Sequence, residues 1–474
     1  MPTTQEISVQ VRFPFPFIFN LQMDKYEFTD EEWNTCLKVL HILKDNPFEN
    51  PDNEQIKTLI SAIHKQAKKE IKKESYSYKK EQDTIQLKST TIIKNTEQKI
   101  SFSSHNPEET DKQYTTLNIP RTCYCCSKNY TQLHFFYHKL CPDCAEFHYN
   151  YRNQEHHFEN YTVILTGGRV KIGYATALLF LRAGAKLILT TRFPALALEQ
   201  LSKETDFDVW KDRLTVYGLD LRNLKAVNLF IEFCHQTLDS VDILINNAAQ
   251  TIKYPINYYQ TLITKEQNLL STNTSDSLFP NTTPISIEQQ KLLEPVLTSD
   301  IEINRFGQPI DERDKNSWNS TLDEIQLEEL LEVNLINHIS PYQLIAGLKP
   351  LMIKSEHSER FIINVTSSEG QFSYPNKTIF HPHTNMTKAA LNMLTRTAAK
   401  DFISDNIFMN AVDVGWISTG APEIKRKKLF DNLQIPPLDA VDGALRILHP
   451  IEEILQKREN WYGVLLKNYK VANW

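Results

Sequence analysis

An α/β fold built on a doubly wound parallel sheet is predicted for this chain by three observations. Residues 161–194, YTVILTGGRVKIGYATALLFLRAGAKLILTTRFP, read as strand, tight turn, helix and second strand. From there to the C-terminus, short apolar runs of strand length alternate with segments of helical period, the pattern of parallel strands joined by crossover helices. Ahead of that region lie two Cys-x-x-Cys pairs, which mark off a small module of its own.

The first strand is the apolar run Val163, Ile164 and Leu165, which breaks at Thr166, Gly167 and Gly168. An Ala/Leu-rich helix follows from about Ile172 to Arg182, Gly184 closes it, and Lys186–Thr191 forms a second buried strand. The turn therefore faces a helix N-terminus, where unpaired N–H groups and the positive end of the helix dipole suit a phosphate. Further strands are expected at Leu214–Leu219, in VDILINNAAQT, at Phe361–Val365 and in WYGVLLKNY. A single helix is expected over TLDEIQLEELLEVNLINHISPYQLIAGLKPLM, and a last one over PPLDAVDGALRIL.

Composition narrows the function class. A length of 474 residues exceeds one average domain, and a hydrophobic fraction of 41% suffices for a large core. A net charge of −6 disfavours nucleic acid and anionic membranes as partners. The sequence has no apolar stretch of about 18 residues and no leader pattern, so a soluble, cytoplasmic protein is expected. The VRFPFPFIF stretch, interrupted by Pro14 and Pro16, reads as an extended segment docked on an apolar surface.

Residues 1–74 read as a helical region. Thr29 followed by Asp30, Glu31 and Glu32 is a helix start, with Trp33, Leu37, Leu40 and Leu43 at helical spacing. A second helix from about Asn53 to Lys73 places Ile56, Leu59, Ile60 and Ile63 on one face and ends in a lysine-rich run that reads as a solvated face. Residues 75–118, polar and poor in apolar periodicity, read as a loosely ordered linker.

The module at 119–152 is sharper. Cys123 and Cys126 form one pair and Cys141 and Cys144 the other, with an intervening segment long enough to bring the two knuckles face to face. Four thiolates suit a closed, tetrahedral, structural zinc site and leave no open position for catalysis. Disulfides would need an oxidising compartment. Cys125 is an extra thiol, and His134, His138 and His148 are substitute ligands. The module and the N-terminal helices are the parts through which a protein partner would bind.

The turn TGGRVKIG resembles the TGxxxGxG cofactor loop of the short-chain dehydrogenase/reductase family. Thr166, Gly167, Ile172 and Gly173 fall on the pattern, while Lys171 stands where the middle glycine is expected. The resemblance continues through NNAA at 246–249, VNL at 333–335, INVTSSEG at 363–370, MTKAAL at 386–391 and NAVDVGWIST at 410–419. It implies a Rossmann-like domain over residues 160–474, with an insertion at about 252–320 that would act as a lid, as an oligomer contact or as an inert addition. It also implies a nicotinamide cofactor held by Thr166, Gly167, Arg169, Lys171, Ile172, Gly173, Arg192, Asp220, Asn247, Ala248, Lys388, Gly415 and Thr419. Strand two ends without the acid that holds a ribose 2′-OH, and Arg192 follows at once; with Arg169 and Lys171 this favours NADP(H) over NAD(H).

For the catalytic group the resemblance implies Asn334, Ser367 (with Ser368 adjacent) and Lys388, but the position of the family's tyrosine is Thr384. A threonine hydroxyl cannot replace a phenol as an acid, and loss of acid–base help costs on the order of 10²- to 10⁴-fold. His381, seven residues before Lys388, and Tyr374 in the preceding loop are the substitute proton donors, with His383 weaker and substrate- or water-assisted transfer a third route. Two functions follow. One is an oxidoreductase acting on a carbonyl, alcohol or imine of a small molecule, in the dimers or tetramers common to the family; the other is a nucleotide-binding sensor or scaffold that has lost catalysis.

Overall fold

A computed structural model describes residues 28–45, 53–97, 114–272, 304 and 308–474. The VRFPFPFIF stretch lies outside the described residues. The chain divides into two units, Met1–Tyr78 and Lys79–Trp474. In the first, α1 (Asp30–Asp45) starts with the Thr29 hydroxyl accepting the Glu32 N–H, and it buries none of its residues. The part of α2 (Asn53–Lys88) in this unit likewise leaves Leu59, Ile60 and Ile63 exposed.

The linker expected over 75–118 is corrected in part. Helix α2 continues to Lys88 and is followed by α3 (Thr91–Glu97), while residues 98–113 lie outside the described ones. Three of the apolar residues there turn inward: Leu87, Ile92 and Ile93 are buried beside Phe136 in the main core, while Tyr76, Tyr78 and Ile85 are exposed. Buried Asp83 accepts N–H bonds from Asn118 and Ile119 at 2.8 and 2.9 Å, tying α2 to the first strand. Low apolar content reflects one-sided burial, not looseness.

The cysteine module is a hairpin and a helix. Strands β1 (Thr115–Thr122) and β2 (Asn129–Leu133) pair antiparallel, and the connection between them carries Cys123 and Cys126. Helix α4 (Pro142–Arg152) begins just after Cys141, with Pro142 at its first position, where no N–H is needed.

The main sheet has eight strands. In chain order these are β3 (Thr162–Thr166), β4 (Lys186–Thr191), β5 (Leu214–Gly218), β6 (Ile243–Asn246), β7 (Arg360–Thr366), β8 (Ile407–Asp413), β9 (Leu465–Lys467) and β10 (Lys470–Ala472). Their spatial order is β10-β9-β8-β7-β6-β3-β4-β5, all parallel except β10. Side chains of β3, such as Val163 and Ile164, are fully buried, and they enter two separate core clusters on opposite faces of the sheet.

Helices cover both faces: α5 (Lys171–Arg182), α6 (Pro194–Leu201), the single turn α7 (Phe207–Trp210), α8 (Leu224–Thr237) and α9 (Ile256–Thr272), then α10 (Leu327–Asn334), α11 (Ser340–Ile353), α12 (Pro382–Phe402), α13 (Glu423–Asp431) and α14 (Ala440–Leu455). The single helix expected over 321–352 starts at Leu327 and runs on to Ile353, with helical backbone throughout; a π-wound turn at Leu335–Ile339 joins its two α-helical parts, α10 and α11. Pro341 supplies no N–H for a continuous ladder there. Among the described residues no helix is long and apolar enough to cross a membrane.

The cysteine module packs on α14 through buried charge. Arg152 makes a two-pronged ion pair with Asp439, at 2.9 and 2.6 Å, and lies 3.4 Å from Asp442. The Tyr137 hydroxyl donates to Asp442 at 2.6 Å, in a fully buried setting. Removing one partner of such a pair strands the other, so Arg152→Ala is expected to destabilise the fold by about 3–5 kcal/mol, read as a lowered urea midpoint.

Candidate active site

Strand β3 is flanked by β4 on one side and β6 on the other, so the chain leaves it in opposite directions. A groove must open at the C-terminal ends of these strands. It does, with a volume of about 400 Å³. Of the residues assigned to the cofactor, Gly167, Arg169, Lys171, Ile172 and Gly173 line it from the first turn, and Arg192, Asp220, Asn247 and Ala248 line it from the following strand ends.

The turn works by close approach. Gly167 has φ +69°, and a Cβ on Gly173 would lie 2.1 Å from the Gly167 carbonyl oxygen. Lys171 adopts φ +52°, a left-handed conformation that costs a side-chain-bearing residue roughly 1–2 kcal/mol. Thr166 plays a different part from the one assigned. Its hydroxyl accepts the N–H groups of Asn247 and Ala248, both at 3.0 Å, and braces β3 against β6 below the groove. Asn247 returns a bond to each of the Thr166 and Gly167 carbonyls, at 3.0 and 3.2 Å.

The basic end of the groove is built by two arginines. The Arg192 guanidinium lies 4.8 Å over the Tyr259 ring, and Arg169 lies 5.4 Å over Phe193. Burial, and then the neighbouring charge of Arg192, push the Arg169 pKa down to about 10, which leaves it cationic at neutral pH. Asp220 is bound by Arg222, whose Nε lies 3.0 Å from its Oδ1; burial raises its pKa, but Arg222 and Arg192 outweigh that and hold it low. Across the groove stands the insertion: Tyr254, Tyr258, Tyr259 and Leu262 line it, and Glu266 of α9 accepts the Ala195 and Leu196 N–H groups at the start of α6, at 2.7 and 2.8 Å. The described part of the insertion thus lines the groove.

Ser367, Thr384 and Lys388 do not line this groove. Strand β7 leads into Ser367, whose hydroxyl oxygen accepts the Glu369 N–H at 3.3 Å. Ser368 is fully engaged, donating to Asp413 at 2.8 Å and accepting from Lys467 at 2.7 Å. Lys388 is buried and donates to the Val365 carbonyl at 2.7 Å. Burial pushes its pKa down to about 8, against the attraction of Asp413. One turn earlier, the buried Thr384 hydroxyl has no hydrogen-bond partner among the described residues.

The substitute donors are each engaged by other groups. His381, at φ +43° just before α12, donates from Nδ1 to the Trp318 carbonyl at 2.7 Å, stacks on the Trp318 ring and turns Nε2 toward Glu369, 3.5 Å away. Tyr374 is half-exposed with Lys467 5.0 Å over its ring, on the Ser368–Asp413 side of β7. His383 donates to the Thr251 carbonyl at 3.0 Å, and burial lowers its pKa.

Asn334 spends its side-chain N–H on Leu330 in its own helix. In the π turn, Asn337 is bonded to Gln250, which lines the groove. It is buried, donates to the Gln250 carbonyl and the Thr387 hydroxyl, both at 2.9 Å, and accepts the Gln250 N–H at 2.8 Å. Sequence reasoning missed it; the available signal was Pro341 interrupting the helix. Gly415, at φ +84°, donates its N–H to Asp413, while Thr419 accepts from Ala421 and the groove is lined by Ser418 and Gly420 beside it. A Cβ on Gly420 would meet Trp318 at 2.8 Å, so this tryptophan, itself part of the groove lining, packs directly on the loop.

In the module, the sulfurs of Cys123, Cys126, Cys141 and Cys144 all lie within 4.8 Å of one another, with Cys126 and Cys141 3.6 Å apart. Cys125 faces away, toward His148 at 3.8 Å and Asn468. The three histidines are engaged otherwise: His134 accepts the Phe136 N–H, His138 donates to Ile435, and His148 donates to Cys144 and accepts from Arg446.

A model of the short chain dehydrogenase family matches residues 161–275, and one described as enoyl-(acyl carrier protein) reductase matches residues 314–434. An uncharacterized protein of Acanthamoeba polyphaga mimivirus is 33% identical over 360 residues, covering 72% of this chain and 74% of that one. A chloroplastic chlorophyll(ide) b reductase of Oryza sativa subsp. japonica is 31% identical over 121 residues, covering 25% of this chain and 33% of that one. Among solved structures, an NADPH-bound carbonyl reductase from chicken fatty liver is 18% identical over 67% of this chain and all of its own, with a TM-score of 0.41. The chain belongs to the short-chain dehydrogenase/reductase family. That family is one of oxidoreductases acting on small molecules.

Proposed function

We propose that the protein is an NADP(H)-dependent oxidoreductase for a carbonyl, alcohol or imine substrate, in which Lys388 takes over the proton transfer that the family assigns to tyrosine. The observation that carries it is the pair on α12: a buried ammonium with a lowered pKa, and one turn before it a buried hydroxyl with no partner among the described residues. Positions i and i+4 share a helix face, so Thr384 is placed to orient or relay a proton from Lys388 to a substrate oxygen or nitrogen. Ser367, with its neighbour Ser368 engaged by Asp413 and Lys467, supplies the hydrogen bond that fixes the substrate.

The cofactor, when bound, supplies or accepts the hydride. The chain's own part is to hold it. The tight turn at Gly167 and Gly173 admits a pyrophosphate, and Arg169, Lys171 and Arg192 favour a 2′-phosphate by charge. Trp318 and the tyrosines of the insertion exclude water from the groove.

Cys123, Cys126, Cys141 and Cys144 fit structural zinc. Tetrahedral zinc with Zn–S near 2.3 Å sets sulfurs about 3.8 Å apart, close to the spacing found, and four sulfurs leave no open coordination position.

Arg192→Ala is expected to erase most of a several-fold preference for NADPH over NADH, measured by calorimetry; equal affinities in the unaltered protein would refute the preference. Turnover in the reducing direction should fall as pH rises through about 8, because the Lys388 ammonium is lost above its pKa. Lys388→Arg keeps the charge but not the proton transfer, and should cut turnover about 10²-fold or more while NADPH affinity holds. His381→Ala should change the rate little. The reverse result would place the proton on His381, and tight NADPH binding without turnover of any carbonyl or imine would favour the sensor function. Purified protein should carry one zinc per chain, lost in Cys141→Ser; metal analysis finding none under reducing conditions would sink the zinc assignment.

A further inference from the structure

Between its first two clustered cysteines the module places Tyr124, and this phenol reaches the dehydrogenase domain at a loop of its groove. The Trp416 N–H donates to the Tyr124 hydroxyl oxygen at 2.8 Å. Trp416 follows Gly415, whose φ of +84° turns the chain out of β8, and precedes Ser418 and Gly420, which line the groove. A Cβ on Gly415 would meet Leu438 at 2.7 Å and the Tyr124 hydroxyl at 3.4 Å, so the module and the loop fit without spare room.

The ring of Trp416 is held as well. Lys139, from the segment between the two cysteine pairs, places its ammonium 4.6 Å from the ring centroid and donates to the Ile435 carbonyl at 3.0 Å. The loop after β8 is thus gripped at backbone and side chain by two residues of a separate module. Both residues sit where the cysteine cluster fixes them: Tyr124 lies between Cys123 and Cys126, and Lys139 two residues before Cys141.

We infer that Tyr124 and Lys139 are positioning residues for the cofactor: the cysteine module sets the conformation of residues 415–420 and thereby the fit of the half of the dinucleotide farthest from Arg192. The inference rests on the NADP(H) reading above. It assigns the module a place in the binding site that a remote structural appendage would not have. Neither residue need touch the cofactor, because each acts through Trp416.

The test uses the full-length protein carrying Tyr124→Phe, with Lys139→Met as a second variant, each checked for unchanged metal content and melting temperature. Two ligands are titrated, NADPH and adenosine 2′,5′-bisphosphate, which carries only the half of the cofactor at the arginine end. Loss of an acceptor for a partly buried N–H costs about 1 kcal/mol or more, so NADPH should bind about five-fold weaker or worse in Tyr124→Phe, with the bisphosphate unchanged. Amide hydrogen exchange across residues 415–420 should quicken in both variants. Unchanged NADPH affinity in both variants, or equal weakening of both ligands, would overturn the inference. If the unaltered protein binds neither ligand, the NADP(H) reading fails by itself; hydrogen exchange at 415–420 then decides the module–loop coupling, and exchange that stays the same refutes it.

Discussion

The divergence of the chain on either side of β3 is the constraint on which the rest depends. Because β4 and β6 both pair with β3, their connections must go to opposite faces, and no helix can cover the strand ends between them. Such an opening would leave the strand ends poorly tied. The Thr166 hydroxyl closes it from below by serving two N–H groups of the β6 end, and Asn247 closes it from above through two carbonyls of the turn. With the turn held this firmly, Lys171 can sit in a left-handed conformation where a glycine would be unstrained.

The second support is a chain of buried amides and hydroxyls. Asn246 donates to Asn364, Asn364 to Thr395, and Asn337 to Thr387, so β6, β7, the π turn and α12 are joined by directional bonds rather than by packing alone. Directional bonds fix the rotation of α12. That rotation brings Lys388 under the Val365 carbonyl and leaves Thr384 one turn away with its hydroxyl unserved among the described residues. An unserved buried hydroxyl costs stability, which a substrate or a relayed proton would recover.

Helix α14 shows the same logic at the module. Asp442 and Arg446 are both buried, a combination that would be costly without partners. Tyr137 and Arg152 from the module serve Asp442, while Arg446 donates to His148, which burial and then the charge of Arg446 keep neutral by pushing its pKa down to about 3. The cysteine cluster therefore anchors a wall of the domain.

Much of this was legible in residue order. The Gly-rich turn between an apolar strand and an Ala/Leu helix determined the βαβ unit, because strand and helix periods and the need for φ above zero at Gly167 are local properties. The paired CxxC spacings determined a four-sulfur cluster for the same reason. Arg192 and Lys388 could be located because each lies at a fixed distance from such a local signal. What lies far apart in sequence was decided only by the tertiary structure. Asn337 is distinguished by a π turn that Gln250 and Thr387 hold in place, His381 and Tyr374 by partners in Trp318 and Lys467, and residues 75–97 by a core to which they give only a few side chains. Tyr124 looked like a spacer between cysteines. Its role depends on a backbone N–H almost three hundred residues away, and no periodicity or spacing in the sequence records which distant donor a buried phenol will meet.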